Sequence, residues 1–351
     1  MPAVSICVPT YNGAAYLAEC LESIAQQTFA DFEVVIVDDC STDSTVAIAN
    51  EYAARHPNFR VVRNAENCGL VRNWKKCLEY SSGEWIKFVF QDDIIASDCL
   101  ARLLDATSDG HVMVSCARHV IFEPGTNEND RNFYLKHQEF LRNIYASGGT
   151  LSAPEFSVII ANNVGANLLG EPTAVLLHKS VFHSFGPFNS CLIHDVDNEY
   201  WARIGTNVGT RHVADPLASF RVHSSSATAT NNGIRQARKQ LDPLILRHDF
   251  AFSDSYKSLR NVAAADKSQF DFVSDFWNHA YQMLLVQRLP VLIASQGGAV
   301  ANELAQVYAA YPRFANFPAR YRFAAWLERN SPNLLKVLAR VRTYTRRILR
   351  S

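Results

Sequence analysis

No apolar run in this 351-residue sequence is long enough to span a bilayer. The most apolar late stretch, residues 283–300, is broken by Arg288, Pro290 and Gln296. A signal-type leader is absent too, because residues 4–8 run straight into Pro9-Thr10-Tyr11-Asn12. No sign of charge dominates: 34 Lys and Arg face 34 Asp and Glu, so the polyelectrolyte signature of a nucleic-acid partner is missing. None of the eight cysteines forms a Cys-x-x-Cys pair, and several sit inside apolar runs. That pattern excludes a zinc ribbon or a disulfide framework and fits small core residues of a reducing compartment. These absences predict a cytoplasmic protein that does not span a membrane. Its length suits one large domain with an appendage, or two domains.

A glycine cradle for phosphates is also lacking. The first turn, Pro9-Thr10-Tyr11-Asn12-Gly13, is not Gly-x-Gly-x-x-Gly, and no Gly-x-x-x-x-Gly-Lys-Ser/Thr follows any strand. Phosphates bound here would need a metal and side-chain charges instead.

What is present is an apolar run, residues 85–90, that stops at Gln91-Asp92-Asp93. Two adjacent carboxylates repel each other unless a cation or hydrogen-bond donors offset them. A hard divalent ion, Mg²⁺ or Mn²⁺, suits oxygen ligands and bridges carboxylates to phosphates. The competing reading is an acidic turn in which Asp93 caps a helix.

Three earlier strands, 4–8, 33–37 and 59–62, alternate with helically spaced sets: Leu17, Cys20, Leu21 and Ile24; Val46, Ala49 and Tyr52; Leu70, Trp74 and Leu78. The alternation predicts an α/β, Rossmann-type, mainly parallel sheet with helices on both faces. Pro9-Thr10, Asp38-Asp39 and Asp92-Asp93 should then share one edge. Further on, a helix is expected over 95–104, strands over 112–115 and 119–122, and loops over 123–132 and 147–154. The turn Asn167 to Pro172 carries Glu171 ahead of a strand over 174–177. His194-Asp195-Val196-Asp197 enters a helix ending near Gly205, and a last strand, 217–222, stops at His223. Residues 224–233 have linker composition, and 234–351 look helical. From Pro312 onward ten Lys or Arg stand against the single acid Glu328, and residues 334–348 read as a basic amphipathic helix. Such a helix suits an anionic membrane surface or a solvated face of the domain.

Residues 4–12 and 34–44, Asn67-Cys68-Gly69, Gly83-Glu84 and Gln91-Asp92-Asp93 together resemble the inverting glycosyltransferases of family 2, with the GT-A fold. The resemblance covers residues 1–223; Glu171 and Asp197-x-Glu199-Tyr200-Trp201-x-Arg203 look like acceptor-side motifs of members that build bacterial surface polysaccharides. It implies a GT-A domain over 1–223, while the linker over 224–233 and the helical C-terminal region over 234–351 rest on composition alone. It also implies Mg²⁺ or Mn²⁺, a nucleoside diphosphate sugar donor in the UDP form, and a saccharide or lipid-linked acceptor.

Position by position, Pro9, Thr10 and Tyr11 would line the base pocket, Asp39 would accept from the uracil or ribose, and Asn67 would lie beside the donor. Arg72 would pair with the diphosphate or base, or be a solvated helix arginine. Asp93 would be the direct metal ligand, Asp92 would sit nearer the ribose, and His223 would reach metal or phosphate. Gln91 departs from the family pattern, which often has another acid there. Asp197 would be the general base with Asp195 its rival, and Glu171 and Trp201 would face the acceptor. The other readings are an inactive nucleotide-sugar-binding scaffold and, disfavoured by the missing glycine-rich basic loop, a nucleotidyltransferase.

Overall fold

The computed structural model describes residues 1–330 apart from 147–148, 233–234, 266–269, 288 and 295–297. Its first part alternates as the spacing predicts: β1 (Val4–Thr10), α1 (Leu17–Ala25), β2 (Phe32–Asp38), α2 (Thr45–Arg55), β3 (Phe59–Arg63), α3 (Leu70–Tyr80) and β4 (Trp85–Phe88). There follow β5 (Ile94–Ile95), α4 (Cys99–Asp105), β6 (Met113–Phe122), α5 (Glu128–Ile144), β7 (Thr150–Leu151), α6 (Ala153–Asn162), β8 (Val175–His178), α7 (Ser180–Phe185), α8 (Val196–Val208) and β9 (Thr210–Val222). The strands of the described residues form one sheet ordered β3-β2-β1-β4-β8-β6-β9-β5, with β7 paired to β9. The β3-β2-β1-β4 half is parallel, β8 runs antiparallel to both its neighbours, and β6 and β9 are parallel.

Register delivers the shared edge. Thr10 pairs with Asp38 and Asp38 with Arg63, while Val89 N–H continues the β1–β4 ladder by donating to the Cys7 carbonyl at 3.0 Å. The strand period of two sorts the core. Val4, Ile6, Val8, Val34 and Ile36 face α1 and α2, whereas Cys7, Val35 and Val37 face Trp74 and Cys77 of α3.

Several local expectations differ. β6 is one long strand where two were expected, and residues 94–95 form strand β5 ahead of α4. The polar stretch 123–132 already contains the start of α5, because Asn127 accepts from Asp130 N–H and Glu128 and Asp130 stand in the positive first turn. Around 150, Ser152 and Glu155 form a capping box that starts α6, with a proline in its first turn.

The C-terminal region is α9 (Ala227–Asn232), α10 (Gln236–Lys239), α11 (Asp242–Phe252), α12 (Lys257–Ala265), α13 (Phe272–Ala280), α14 (Leu289–Ala294), α15 (Gly298–Ala310) and α16 (Ala319–Asn330). Helix α9 lies inside the stretch read as a linker. One apolar cluster runs from Val35 and Trp74 through Trp201 to Leu244, Phe276 and Phe314, so the helices extend the core of the sheet. The basic amphipathic stretch 334–348 lies outside the described residues.

Candidate active site

The ends of β1, β2 and β4 open into a cleft of about 1630 Å³ whose far wall is made by α5, the start of α8 and the C-terminal helices. Pro9, Thr10, Tyr11, Asp39, Asn67 and Arg72 line its sheet side. Asp38 does not: its buried carboxylate accepts from Ser41 N–H at 2.9 Å and lies 3.6 Å from Arg63, which ties off the β2 turn. Asp39 turns toward the cleft and accepts from Asn64 Nδ2 at 2.8 Å, Cys68 N–H at 2.9 Å and Gly69 N–H at 2.8 Å. Burial pushes this carboxyl up, but the hydrogen bonds from Cys68, Asn64 and Gly69 outweigh it and hold Asp39 below its usual value. Gly69 supplies the left-handed backbone (φ 84°) that lets successive amides point at one carboxylate.

Gln91 has a specific task. Its Oε1 accepts from Tyr11 N–H at 2.8 Å and its Nε2 donates to the Tyr11 carbonyl at 3.1 Å, locking the β1 turn to the end of β4. A carboxylate could make only the first of these bonds. The lock also fixes Gly13, where a Cβ would fall 2.1 Å from Gln91 Oε1.

The adjacent acids point in opposite directions. Asp92 lines the cleft, and its Oδ2 lies 2.9 Å from His223 Nε2; Ser225 Oγ holds the other ring nitrogen at 2.9 Å. Asp93, the residue expected as the direct metal ligand, points inward from the turn. Its carboxylate is fully buried, accepts from Thr173 Oγ1 at 2.5 Å and Arg221 N–H at 3.1 Å, and does not line the cleft. Burial, with the Asp92 charge second, pushes its pKa well up. Arg221 braces the turn from beneath, donating to the Asp92 carbonyl at 3.0 Å and pairing with Glu19 and Glu123 at 2.5 and 2.6 Å.

Among the described residues no three His, Cys, Asp or Glu side chains gather as a metal cage. Asp92 and His223 both line the cleft and bring one carboxylate oxygen and one imidazole nitrogen within 2.9 Å of each other. That set fits Mg²⁺ or, with its imidazole, Mn²⁺, ions that commonly take only one or two protein ligands and fill their shell with phosphate oxygens and water.

Across the cleft, the loop before α8 is held by Asp242 of α11, whose Oδ2 accepts from the amides of Ile193, His194 and Asp195 at 2.9, 2.7 and 3.2 Å. Arg238 pairs with the same carboxylate at 3.0 Å. Neither residue was found from the sequence, since the resemblance ends at 223. Asp195 and Asp197 both line the cleft. Burial, then Asp242, pushes Asp195 up to about 7, with Lys239 opposing. Burial, then the charge of Glu171, pushes Asp197 up to about 7 as well. Asp197 sits 3.5 Å from Asn167 Nδ2, beside the turn that carries Glu171.

Glu171 lines the cleft while paired with the buried guanidinium of Arg118. Trp201, expected to face the acceptor, is wholly buried and does not line the cleft, and its indole N–H donates to the Gly170 carbonyl at 2.9 Å. One turn below Asp197 on the same helix, its ring braces the turn that carries Glu171.

Residues 5–160 match the family model described as glycosyl transferase family 2. The chain is 31% identical over 246 residues to an uncharacterized protein of Mycobacterium tuberculosis, covering 69% of this chain and 73% of that one. Over 104 residues it is 38% identical to the poly(ribitol-phosphate) beta-glucosyltransferase of Bacillus spizizenii, covering 28% of this chain and 16% of that one. Among solved structures it is similar in fold to the mannosyltransferase PcManGT of Pyrobaculum calidifontis in complex with GDP-Man and Mn²⁺. The TM-score is 0.54 at 19% identity, covering 95% of this chain and 88% of that one.

Proposed function

The chain belongs to glycosyltransferase family 2, and from that premise we propose that it is a metal-dependent, inverting transferase that moves a sugar from a nucleoside diphosphate, in the UDP form, to a saccharide or lipid-linked saccharide acceptor in surface polysaccharide synthesis. The observation that carries this reading is the convergence of Asp39, the Asp92–His223 pair and Asp197 on one cleft.

In this reading the base and ribose lie between Tyr11 and Asp39, whose fixed carboxylate has acceptor capacity left on Oδ2 for an imide or hydroxyl donor. Asp92 and His223 would hold Mg²⁺ or Mn²⁺, and the bound ion would supply Lewis-acid neutralisation of the leaving diphosphate. Asp197 takes the proton of the acceptor hydroxyl as that oxygen bonds to the anomeric carbon and the bond from carbon to the phosphate oxygen breaks. A single displacement of this kind inverts the anomeric centre. A carboxyl near neutrality in the cleft wall suits the proton transfer.

The test is nucleotide release over a panel of nucleoside diphosphate sugars with Mg²⁺ or Mn²⁺. Release from a UDP-sugar that stops on chelation is the expected result. Nucleotide binding without release from any donor would replace the transferase with a binding scaffold.

No helix among the described residues is long and apolar enough to cross a membrane. Peripheral attachment at the inner membrane face is proposed from the ten basic residues after Pro312 and from Phe323 and Trp326 of α16, stacked at 6.1 Å and each more than half exposed. The full chain should co-sediment with phosphatidylglycerol vesicles at low salt and be released at high salt. Equal recovery after deletion of residues 333–351 would end that proposal.

A further inference from the structure

Helix α5 carries Phe133, His137 and Phe140 at positions i, i+4 and i+7, which one helix face presents together, and all three line the cleft. Their rings form a row. Phe133 and His137 have centroids 6.3 Å apart and planes 22° apart, and His137 and Phe140 repeat this at 6.3 Å and 23°. Phe133 is 63% exposed, which leaves its ring open to a ligand. The row spans about 10 Å at the helical rise, room for two linked pyranose rings.

The row is also registered to the reacting end of the cleft. His137 Nε2 lies 2.8 Å from the Asn167 carbonyl and its Nδ1 lies 3.1 Å from Arg118, the partner of Glu171. Asn167 is in turn the neighbour of Asp197. A ligand laid on the rings therefore comes within reach of the proposed base through His137, the middle of the row.

We propose that Phe133, His137 and Phe140 form an acceptor subsite for a linear saccharide of at least two units, whose reacting hydroxyl lies at Asp197. This rests on the transferase reading above. Flat, nearly parallel π-faces match the C–H faces of pyranose rings, which carry the partial positive charge that an aromatic face attracts. Asp130, Lys136 and Asn163 also line the cleft, offering donors and acceptors to equatorial hydroxyls. An acyl chain would strip water from those same groups and return no hydrogen bonds. The saccharide is therefore the occupant that uses both the ring faces and the polar groups around them.

The probe is a series of alkyl mono-, di- and trisaccharides, each with a short and a long alkyl group, presented to wild type, Phe133→Ala, Phe133→Trp and Phe140→Leu. Saturation-transfer NMR reports binding, and acceptor-free hydrolysis of the nucleotide sugar reports the donor site. Wild type should bind the trisaccharide more tightly than the monosaccharide, with saturation focused on ring C–H protons. Phe133→Ala and Phe140→Leu should each weaken trisaccharide binding about tenfold, the scale of losing one ring contact, while leaving the monosaccharide and donor hydrolysis unchanged; Phe133→Trp should restore it. Affinity that follows alkyl length rather than sugar number overturns the proposal in favour of a lipid groove. So does the absence of any saccharide binding while donor hydrolysis persists. Loss of donor hydrolysis in wild type would instead fall on the transferase reading itself.

Discussion

Asp197→Asn should keep nucleotide-sugar binding and lower kcat by about 10²–10⁴-fold, the contribution of a positioned general base. In wild type, burial and the charge of Glu171 raise this carboxyl to about 7, so kcat should climb with pH through about 7 and then level off as the base becomes fully ionised. The same shift has a stability consequence with a definite sign. A carboxyl whose pKa is higher folded than unfolded binds protons more readily in the native state, so its stabilising contribution is complete at low pH and is lost as pH rises toward 7. Asparagine removes that dependence. Asp197→Asn should therefore melt no lower than wild type at pH 8 while being nearly inactive, which separates a chemical loss from misfolding. Asp195→Asn is the control. Asp195 shares the raised pKa, but it stands beside Asp242 and Lys239 rather than the Glu171 turn, so its variant should retain most of kcat. If Asp195→Asn loses kcat and Asp197→Asn does not, the two roles exchange.

The parallel half of the fold was legible because both its periods were clean. Val4, Ile6 and Val8 alternate with Cys7, and Leu17, Cys20, Leu21 and Ile24 share one helical face, so strand ends had to converge. The cap of α6 was also in plain view as Ser152-x-x-Glu155, yet it was hidden by the small and polar residues around it. Gln91 was not legible, since its reason is a two-way hydrogen bond to Tyr11, 80 positions away. The partner of Trp201 was hidden for a similar cause, since its indole donates to the Gly170 carbonyl, 31 positions away. The anchoring of the loop before α8 by Asp242 and Arg238 could not be read from residues 1–223, because both groups come from the C-terminal helices. Those helices thus hold a part of the cleft wall, and their removal should disturb Asp195 and Asp197 before it disturbs Asp39.

The second large effect concerns which of two neighbouring acids answers to metal. In a tight turn, successive side chains diverge, and here Thr173 and the Arg221 amide draw Asp93 inward while His223 meets Asp92 at the cleft. Asp92→Asn and His223→Ala should each lower metal-dependent turnover roughly 10²–10³-fold, the scale of losing several kcal/mol of charge stabilisation at a leaving diphosphate. Each should also weaken the Mn²⁺-dependent part of UDP affinity, measured by calorimetry with and without the ion, and leave the metal-free part in place because Asp39 and Tyr11 are untouched. Asp93→Ala should behave differently. It strands the Thr173 hydroxyl and the Arg221 amide in the interior, at a cost of about 1–3 kcal/mol for an unsatisfied buried group, so the melting temperature should fall. The Mn²⁺ concentration needed for half-maximal UDP binding should stay where it is in wild type. The reverse pattern, with metal response lost in Asp93→Ala and kept in Asp92→Asn, would return the ion to Asp93 and require the turn after β4 to rotate when nucleotide binds.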